Sequence, residues 1–128
     1  MKKILSILFF VLISCNSSQK IIVSNLEEET FVQAYKTAVF YGCVNEATND
    51  NFNKFSKENN DLGLATTVAI LNHSTNEDAV NYGKEISKKV RTINYADYEG
   101  KKPIFADCMA FAFSKEVDSI ARIQFLKR

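Results

Sequence analysis

The chain contains very few residues that break helices: one Pro and four Gly among 128 residues. A sheet protein of this size usually needs more of them, because Gly and Pro supply the backbone conformations of tight turns. Apolar residues instead recur three and four positions apart along most of the chain, which is the helical period. The sequence therefore predicts an all-α fold, a small single-domain bundle of five or six helices.

Helix ends are predicted from this spacing and from capping residues. The first helix begins at Asn25, an N-cap residue with Glu28 three positions on, and ends near Ala47. Further helices are expected over residues 50–57, 61–71, 74–93 and 103–112, and from Ser114 onward, with Ser74 and Ser114 as caps. Residues 65–70 also fit a strand. Apolar side chains expected to point inward include Phe52, Phe55, Leu64, Ala65, Val68, Ala69, Leu71, Phe105, Cys108, Met109 and Ala112.

The N-terminal residues have the pattern of a lipoprotein signal peptide. Lys2–Lys3 precede the stretch Ile4–Ile13, which is apolar except for Ser6. This stretch is about half the ~20 residues that a membrane-spanning helix needs. The following Leu12–Cys15 has the pattern of a bacterial lipobox, in which the Cys thiol takes a diacylglycerol and a peptidase cuts the bond before it.

These residues predict how the chain is processed and where it is located. Residues 1–14 form the signal peptide, Cys15 carries the lipid, residues 15–25 form a short tether, and residues 26–128 form the helical domain. The protein is then expected in the cell envelope, facing the periplasm and held on the membrane only by its lipid anchor. An ordinary cleaved signal with an incidental Cys is the alternative.

Two cysteines remain once Cys15 is assigned to the lipid. An even pair in an exported chain favours a disulfide, here between Cys43 and Cys108, which are 65 positions apart. Closing a loop of that length stabilises a domain by roughly 4 kcal/mol at most. Two free buried thiols are the alternative. No metal site or cofactor is predicted, because His73 is the only His and there is no CxxC motif.

Charge and composition argue against several function classes. The chain has 16 basic and 15 acidic side chains, so it lacks the excess of positive charge typical of nucleic-acid-binding domains. One His and no Gly-rich phosphate loop leave no familiar catalytic set, and we expect no enzyme activity. Carboxylates at Asp97, Glu99 and Asp107 could do acid–base chemistry, but a solvated loop edge is the simpler interpretation.

An aromatic loop between residues 94 and 102 is the predicted partner-binding site. Tyr side chains among mixed charges are typical of protein–protein contacts, because Tyr offers a large contact area at little entropy cost. Packing of these Tyr side chains onto the domain core is the alternative. With the helix junction near His73, the predicted contact residues are Tyr95, Asp97, Tyr98, Glu99, Lys101 and His73.

Four parts of the sequence resemble a known family, the fourth class of amidase immunity proteins of type VI secretion. Tyr98–Lys101, Cys108 and Phe113–Val117 are similar to the family's Tyr-x-Gly-Lys, Cys-Leu-x-x-Tyr and His-Ser-x-Glu-Leu motifs. Tyr35–Ala47 is similar to its first helix, with a Cys followed by an apolar residue and a closing Ala. The chain departs from the family at Ala112 and Phe113, where the family has Tyr and His.

The resemblance implies an exported helical protein that often forms a homodimer. Family members block the active site of a peptidoglycan amidase delivered by neighbouring cells, and loops between helices reach the catalytic cleft. The partner expected here is therefore an amidase effector, contacted by the Tyr95–Lys101 loop and the Asn72–Glu77 junction. The alternative function is a structural or assembly role in the envelope without a toxin partner. A small hydrolase is the third and weakest hypothesis.

Overall fold

The protein is a bundle of six helices over the part of the chain that the structure describes. A computed structural model describes the backbone of residues 2–61, 63–93 and 99–128, and the side chains of these residues from Asn25 onward except Leu64. The helices are α1 (Lys2–Ala47), α2 (Asn51–Glu58), α3 (Gly63–Leu71), α4 (His73–Ser87), α5 (Ile104–Ala112) and α6 (Lys115–Phe125). The all-α prediction is confirmed, and residues 65–70 lie in a helix.

The chain divides into two compact units, residues 1–30 and residues 31–128. The predicted helix start at Asn25 is wrong, because the helical backbone of α1 already begins at Lys2 and runs through the predicted tether, residues 15–25. Neither Gly nor Pro occurs before Gly42, so no residue in this stretch strongly opposes a helix. No helix is long and apolar enough to span a membrane among the residues with described side chains.

The core of the second unit forms around α1 and α4. Phe31, Val32 and Val39 of α1 are fully buried, and Ala79 and Ile86 of α4 belong to the same core. The remaining buried apolar side chains come mainly from the C-terminal half of α1 and from α5 and α6. These helices therefore share one apolar core.

Two glycines let α1 and α4 pack backbone against backbone. A Cβ atom at Gly42 would lie 2.1 Å from the carbonyl oxygen of Val80, and one at Gly83 would lie 2.1 Å from that of Val39. Each distance is far below a normal carbon–oxygen contact, so any larger residue at either position would push the helices apart.

A disulfide joins Cys43 of α1 to Cys108 of α5, as the sequence predicted. The S–S distance is 2.04 Å and the Cα–Cα distance is 5.7 Å. Both cysteines are fully buried. The alternative of two free thiols is thereby rejected.

An ion pair joins α1 to α6. Lys36 is buried and its Nζ donates to Asp118 Oδ1, while Arg122 Nε donates to the other carboxylate oxygen at 2.8 Å. The hydrogen bonds from Lys36 and then Arg122 hold the pKa of the Asp118 carboxyl below its ordinary value. The carboxylate therefore stays ionised and bridges two cations.

Capping residues were predicted correctly at one helix start and wrongly at another. Ser114 caps α6, because its side chain accepts from the backbone N–H of Val117. Helix α4 is capped by Asn72, whose side chain accepts from Thr75 N–H, and not by Ser74. Asn72 has a φ of 64°, a value that Asn adopts more readily than most residues, and this allows the helix to begin two residues earlier.

Several side chains predicted to point inward are exposed. On α2, Phe52 is half-buried but Phe55 is exposed, and the neighbouring Ser56 is buried instead. On α3, Leu71 is buried as predicted and Val68 is half-buried, whereas Ala65 and Ala69 are exposed. Both helices are short, so the direction of the buried face is set by packing on neighbouring helices, which the periodicity alone does not reveal.

Candidate binding surface

One face of α5 is entirely apolar and exposed. Phe105, Met109 and Phe113 succeed each other four residues apart, with exposed fractions of 53%, 53% and 49%. Ala106 and Ala110 lie beside them and are also exposed. We call these five residues the α5 face. Such contiguous exposed apolar surface commonly marks a contact site for another molecule.

The opposite face of α5 contains its one charged residue. Asp107, Cys108 and Ala112 are buried. Phe105 and Met109 were predicted to line this inward face together with Cys108 and Ala112, and that prediction is wrong. The disulfide turns Cys108 to the centre of the buried face, which leaves positions 105 and 109 at the side of the helix that faces solvent.

Asp107 is buried because Arg91 satisfies its carboxylate. The Arg91 backbone N–H donates to Oδ2 at 2.9 Å, and its guanidinium donates to Oδ1 at 2.6 Å through Nη2. The side-chain hydrogen bonds of Arg91, and then its backbone hydrogen bond, hold the pKa of Asp107 below its ordinary value. The pair ties the segment after α4 to α5 and fixes the rotation of α5 about its axis.

Aromatic contacts support one end of the α5 face. The ring centroid of Phe105 lies 6.3 Å from that of Phe40 and 5.9 Å from that of Phe52, and Phe52 packs on Tyr41 at 5.2 Å. About half of Phe105 is exposed while its ring is held by two neighbours. Its side chain is therefore ordered before any partner arrives, which lowers the entropic cost of binding.

Charged residues of both signs flank the α5 face. Glu99, Lys101 and Lys102 precede its first turn, and Lys115 and Glu116 follow its end; all five are exposed. Glu116 accepts a hydrogen bond from the Tyr82 hydroxyl at 2.9 Å. An apolar centre with a charged rim is the usual anatomy of a protein–protein interface.

The predicted contact loop is only partly described. Tyr95, Asp97 and Tyr98 lie outside the described residues. Glu99 and Lys101 are exposed at the base of the loop, where Ile93 N–H donates to Lys101 O at 2.8 Å and Gly100 N–H donates to Ile93 O at 3.1 Å. These two bonds hold the ends of the loop together next to the start of α5.

His73, the other predicted contact, lies at the opposite end of α4 from this loop. It is the first residue of α4, exposed, with its Nε2 atom 4.0 Å from a carboxylate oxygen of Glu77. The connection that carries Glu99 and Lys101 leaves α4 after Ser87, which is about 22 Å away along a helix of this length. A single contact site is therefore built more simply from the loop base and the α5 face.

The α5 face was not predicted, although the sequence contains a signal for it. Eight of the nine residues of Ile104–Ala112 are apolar, so the helix is apolar all round. A helix of this kind is either buried on every side or covered by a partner. Surface helices normally turn their charges outward, and here the only charge faces inward.

A second concavity lies at the turn between α1 and α2. Its volume is about 350 Å³, and it is lined by Asn49, Asp50, Asn51, Asn53, Lys54 and Lys57. Backbone N–H groups at the start of α2 are already bonded, Phe52 N–H to Thr48 Oγ1 and Asn53 N–H to Asn45 Oδ1. These bonds join the two helices and leave the helix start no open donors for a ligand, so we regard the turn as structural.

Acidic, His and Cys side chains do not form a cluster of three or more suited to a metal ion within the described residues. Comparison with known protein families, with curated proteins and with solved structures finds no match for this chain.

Proposed function

We propose that this protein is an envelope lipoprotein that binds and inhibits a peptidoglycan amidase delivered by type VI secretion, so that it protects the producing cell and its siblings. The apolar α5 face, held on a disulfide-bonded domain, supports a binding role most directly. The family resemblance at Tyr98–Lys101 and Phe113–Val117 supports the choice of an amidase as the partner. Lys101 precedes α5 in the chain, and Phe113 belongs to the α5 face.

The proposed site combines the loop base with the α5 face. Glu99 and Lys101 are exposed and lie within five residues of the start of α5 in the chain, so one partner can contact both the loop base and the first turn of α5. Lys102 and Lys115 flank the two ends of the face. The complementary surface of the amidase should therefore present an apolar groove with charged side chains of both signs at its rim, acidic ones opposite Lys102 and Lys115, because such charges steer association and fix orientation.

The proposed location matches the proposed target. A cell-wall amidase acts in the periplasm, where disulfides form and persist. The lipobox Leu12–Cys15 would hold the inhibitor on the membrane beside that compartment. Cleavage before Cys15 would remove residues 2–14 of α1.

An inhibition assay with two matched variants tests the proposal. The purified protein should bind candidate periplasmic amidases and inhibit cleavage of peptidoglycan. Met109→Lys places a charge at the centre of the α5 face and should weaken binding at least about tenfold, since central apolar anchors carry most binding energy. Ile123→Lys, at a side chain on α6 with a similar exposed fraction of 52%, should bind like the wild type.

Each outcome has a definite meaning. Equal weakening by both variants would place the interface away from α5. A change in oligomeric state with Met109→Lys, without an effect on inhibition, would make the α5 face a contact between copies of this chain. If no amidase is bound or inhibited, and deletion leaves cells no more sensitive to attack by rivals, the immunity function is refuted and the structural envelope role becomes the better hypothesis.

A further inference from the structure

Helix α5 fully buries only small side chains. These are Asp107, Cys108 and Ala112, none larger than an aspartate. Its larger side chains are only partly covered: about half of Phe105 and Met109 is exposed, and Ile104 and Phe111 are partly buried against the core. Apolar burial is the main force that docks a helix, so α5 is packed less firmly than α1, whose large side chains are fully buried. Besides this packing, the Arg91–Asp107 ion pair and one covalent bond hold α5 in place.

The covalent hold is the Cys43–Cys108 bond. It joins the centre of the buried face of α5 to α1, and both cysteines are completely shielded from solvent. A reductant therefore reaches the sulfur atoms only when α5 has moved away.

The rest of the domain is assembled without α5. Gly42 and Gly83 bring α1 and α4 into backbone contact, and Lys36 joins α1 to Asp118 of α6. The large buried side chains of this core lie outside α5: Phe31, Val32, Val39, Val44, Leu71 and Val117. None of these contacts needs the disulfide.

We propose that the disulfide is a redox latch for α5: oxidised, it fixes the α5 face in place, and reduced, it releases α5 from a body of α1, α4 and α6 that stays folded. Closing the latch joins the two thiol sulfur atoms and releases two protons and two electrons. The electrons pass to the disulfide of an envelope thiol oxidase, which becomes a dithiol. Opening the latch reverses this with a dithiol or phosphine reductant.

The latch makes the α5 face dependent on compartment. The cytosol keeps thiols reduced, whereas the envelope of a bacterium oxidises them. The chain would therefore present an ordered α5 face only after export. If the proposed function holds, the inhibitor becomes competent to bind where the amidase acts and not where both proteins are made.

Hydrogen exchange of the full chain tests the latch without any partner. A Cys15→Ser background leaves Cys43 and Cys108 as the only reactive cysteines. On reduction with a phosphine, the amides of α5 should exchange about 100-fold faster. With α1 and α4 folded, the bond closes only residues 88–108, and a loop of that size is worth about two decades in an equilibrium constant. The amides of α1 after Phe31 and of α4 should keep their protection.

Two controls complete the experiment. A Cys43→Ala/Cys108→Ala variant should behave like the reduced protein, which excludes an effect of the reductant itself. Arg91→Gln breaks the other tie to α5 with the disulfide intact and should raise exchange of α5 much less than reduction does.

Three results would overturn the proposal. Unchanged exchange of α5 on reduction would mean that packing alone holds the helix. An equally large rise in the exchange of α1, α4 and α6 would mean that the bond stabilises the whole domain and not α5 alone. An effect of Arg91→Gln as large as that of reduction would assign the latch to the ion pair. Because no amidase takes part, failure here leaves the proposed function intact, and failure of the inhibition assay leaves the latch intact.

Discussion

Gly83→Ala should destabilise the domain although alanine is the better helix former. The added Cβ would lie 2.1 Å from the carbonyl oxygen of Val39 and 2.9 Å from the backbone nitrogen of Cys43. Both atoms belong to the backbone of α1, so no side-chain rotation relieves the contact. The helices must separate by about 1 Å, which loosens every side chain packed between them.

The expected loss of stability in Gly83→Ala is the difference between two opposing effects. Overpacking a core costs about 1–3 kcal/mol and occasionally more, and a clash between backbones belongs at or above the upper end of that range. Alanine in place of glycine in a helix returns roughly 1 kcal/mol. The net loss should be about 2 kcal/mol or more, which lowers the melting temperature of a domain of this size by about 10 °C or more.

Thermal and urea unfolding followed by circular dichroism, under conditions that keep the disulfide intact, measure this loss. Gly63→Ala is the matched control, since a Cβ there meets only the exposed side chain of Asp61, at 3.1 Å, and no backbone of another helix. The control should stay within about 1 kcal/mol of the wild type. If Gly83→Ala melts at or above the wild-type temperature, the close approach of α1 and α4 does not exist in solution.

Two further predictions concern the surroundings of the α5 face. Because Arg91 lowers the pKa of Asp107 in the folded state, the stabilisation by its carboxylate is complete above the unfolded value near 3.9 and is lost as the pH falls through the folded value. Urea unfolding should therefore show Asp107→Asn less stable than the wild type by about 1–2 kcal/mol at pH 6, with the gap closing toward pH 2; a constant gap would contradict an ionised Asp107. Tyr98→Ala and Asp97→Ala should each weaken amidase binding by at least about 2 kcal/mol in calorimetry if the loop supplies central anchors, and unchanged affinity in both would confine the interface to the α5 face.

Much of the fold could be predicted because its signals are local. The scarcity of Gly and Pro indicated a helical chain, and Ser114 marked the start of a helix through its own side chain. Counting cysteines predicted the Cys43–Cys108 bond, because the expected lipidation of Cys15 left one even pair. Each of these inferences depends on composition or on residues that are close in sequence. Folding changes neither the composition nor the sequence neighbours of a residue.

The candidate site was harder to predict because it depends on how α5 is rotated. Periodicity allows several apolar faces in a helix that is apolar all round, and long-range contacts such as the Arg91–Asp107 pair and the disulfide select one. Arg91 and Asp107 lie 16 residues apart in sequence, with nothing between them to indicate that they pair. The exposure of Met109 follows from these long-range contacts.

The separation of 65 residues between the bonded cysteines also orders events during synthesis. A chain is made from its N-terminus, so Cys43 exists while the residues up to Cys108 are still being added. By the time Cys108 has been added, all residues of α1 to α4 are present. Helices α1 and α4 can then already pack against each other at Gly42 and Gly83. Packing of α1 on α4 would then precede the bond, and α6, whose residues follow Cys108 in the chain, still has to add Val117 and Ala121 to the core.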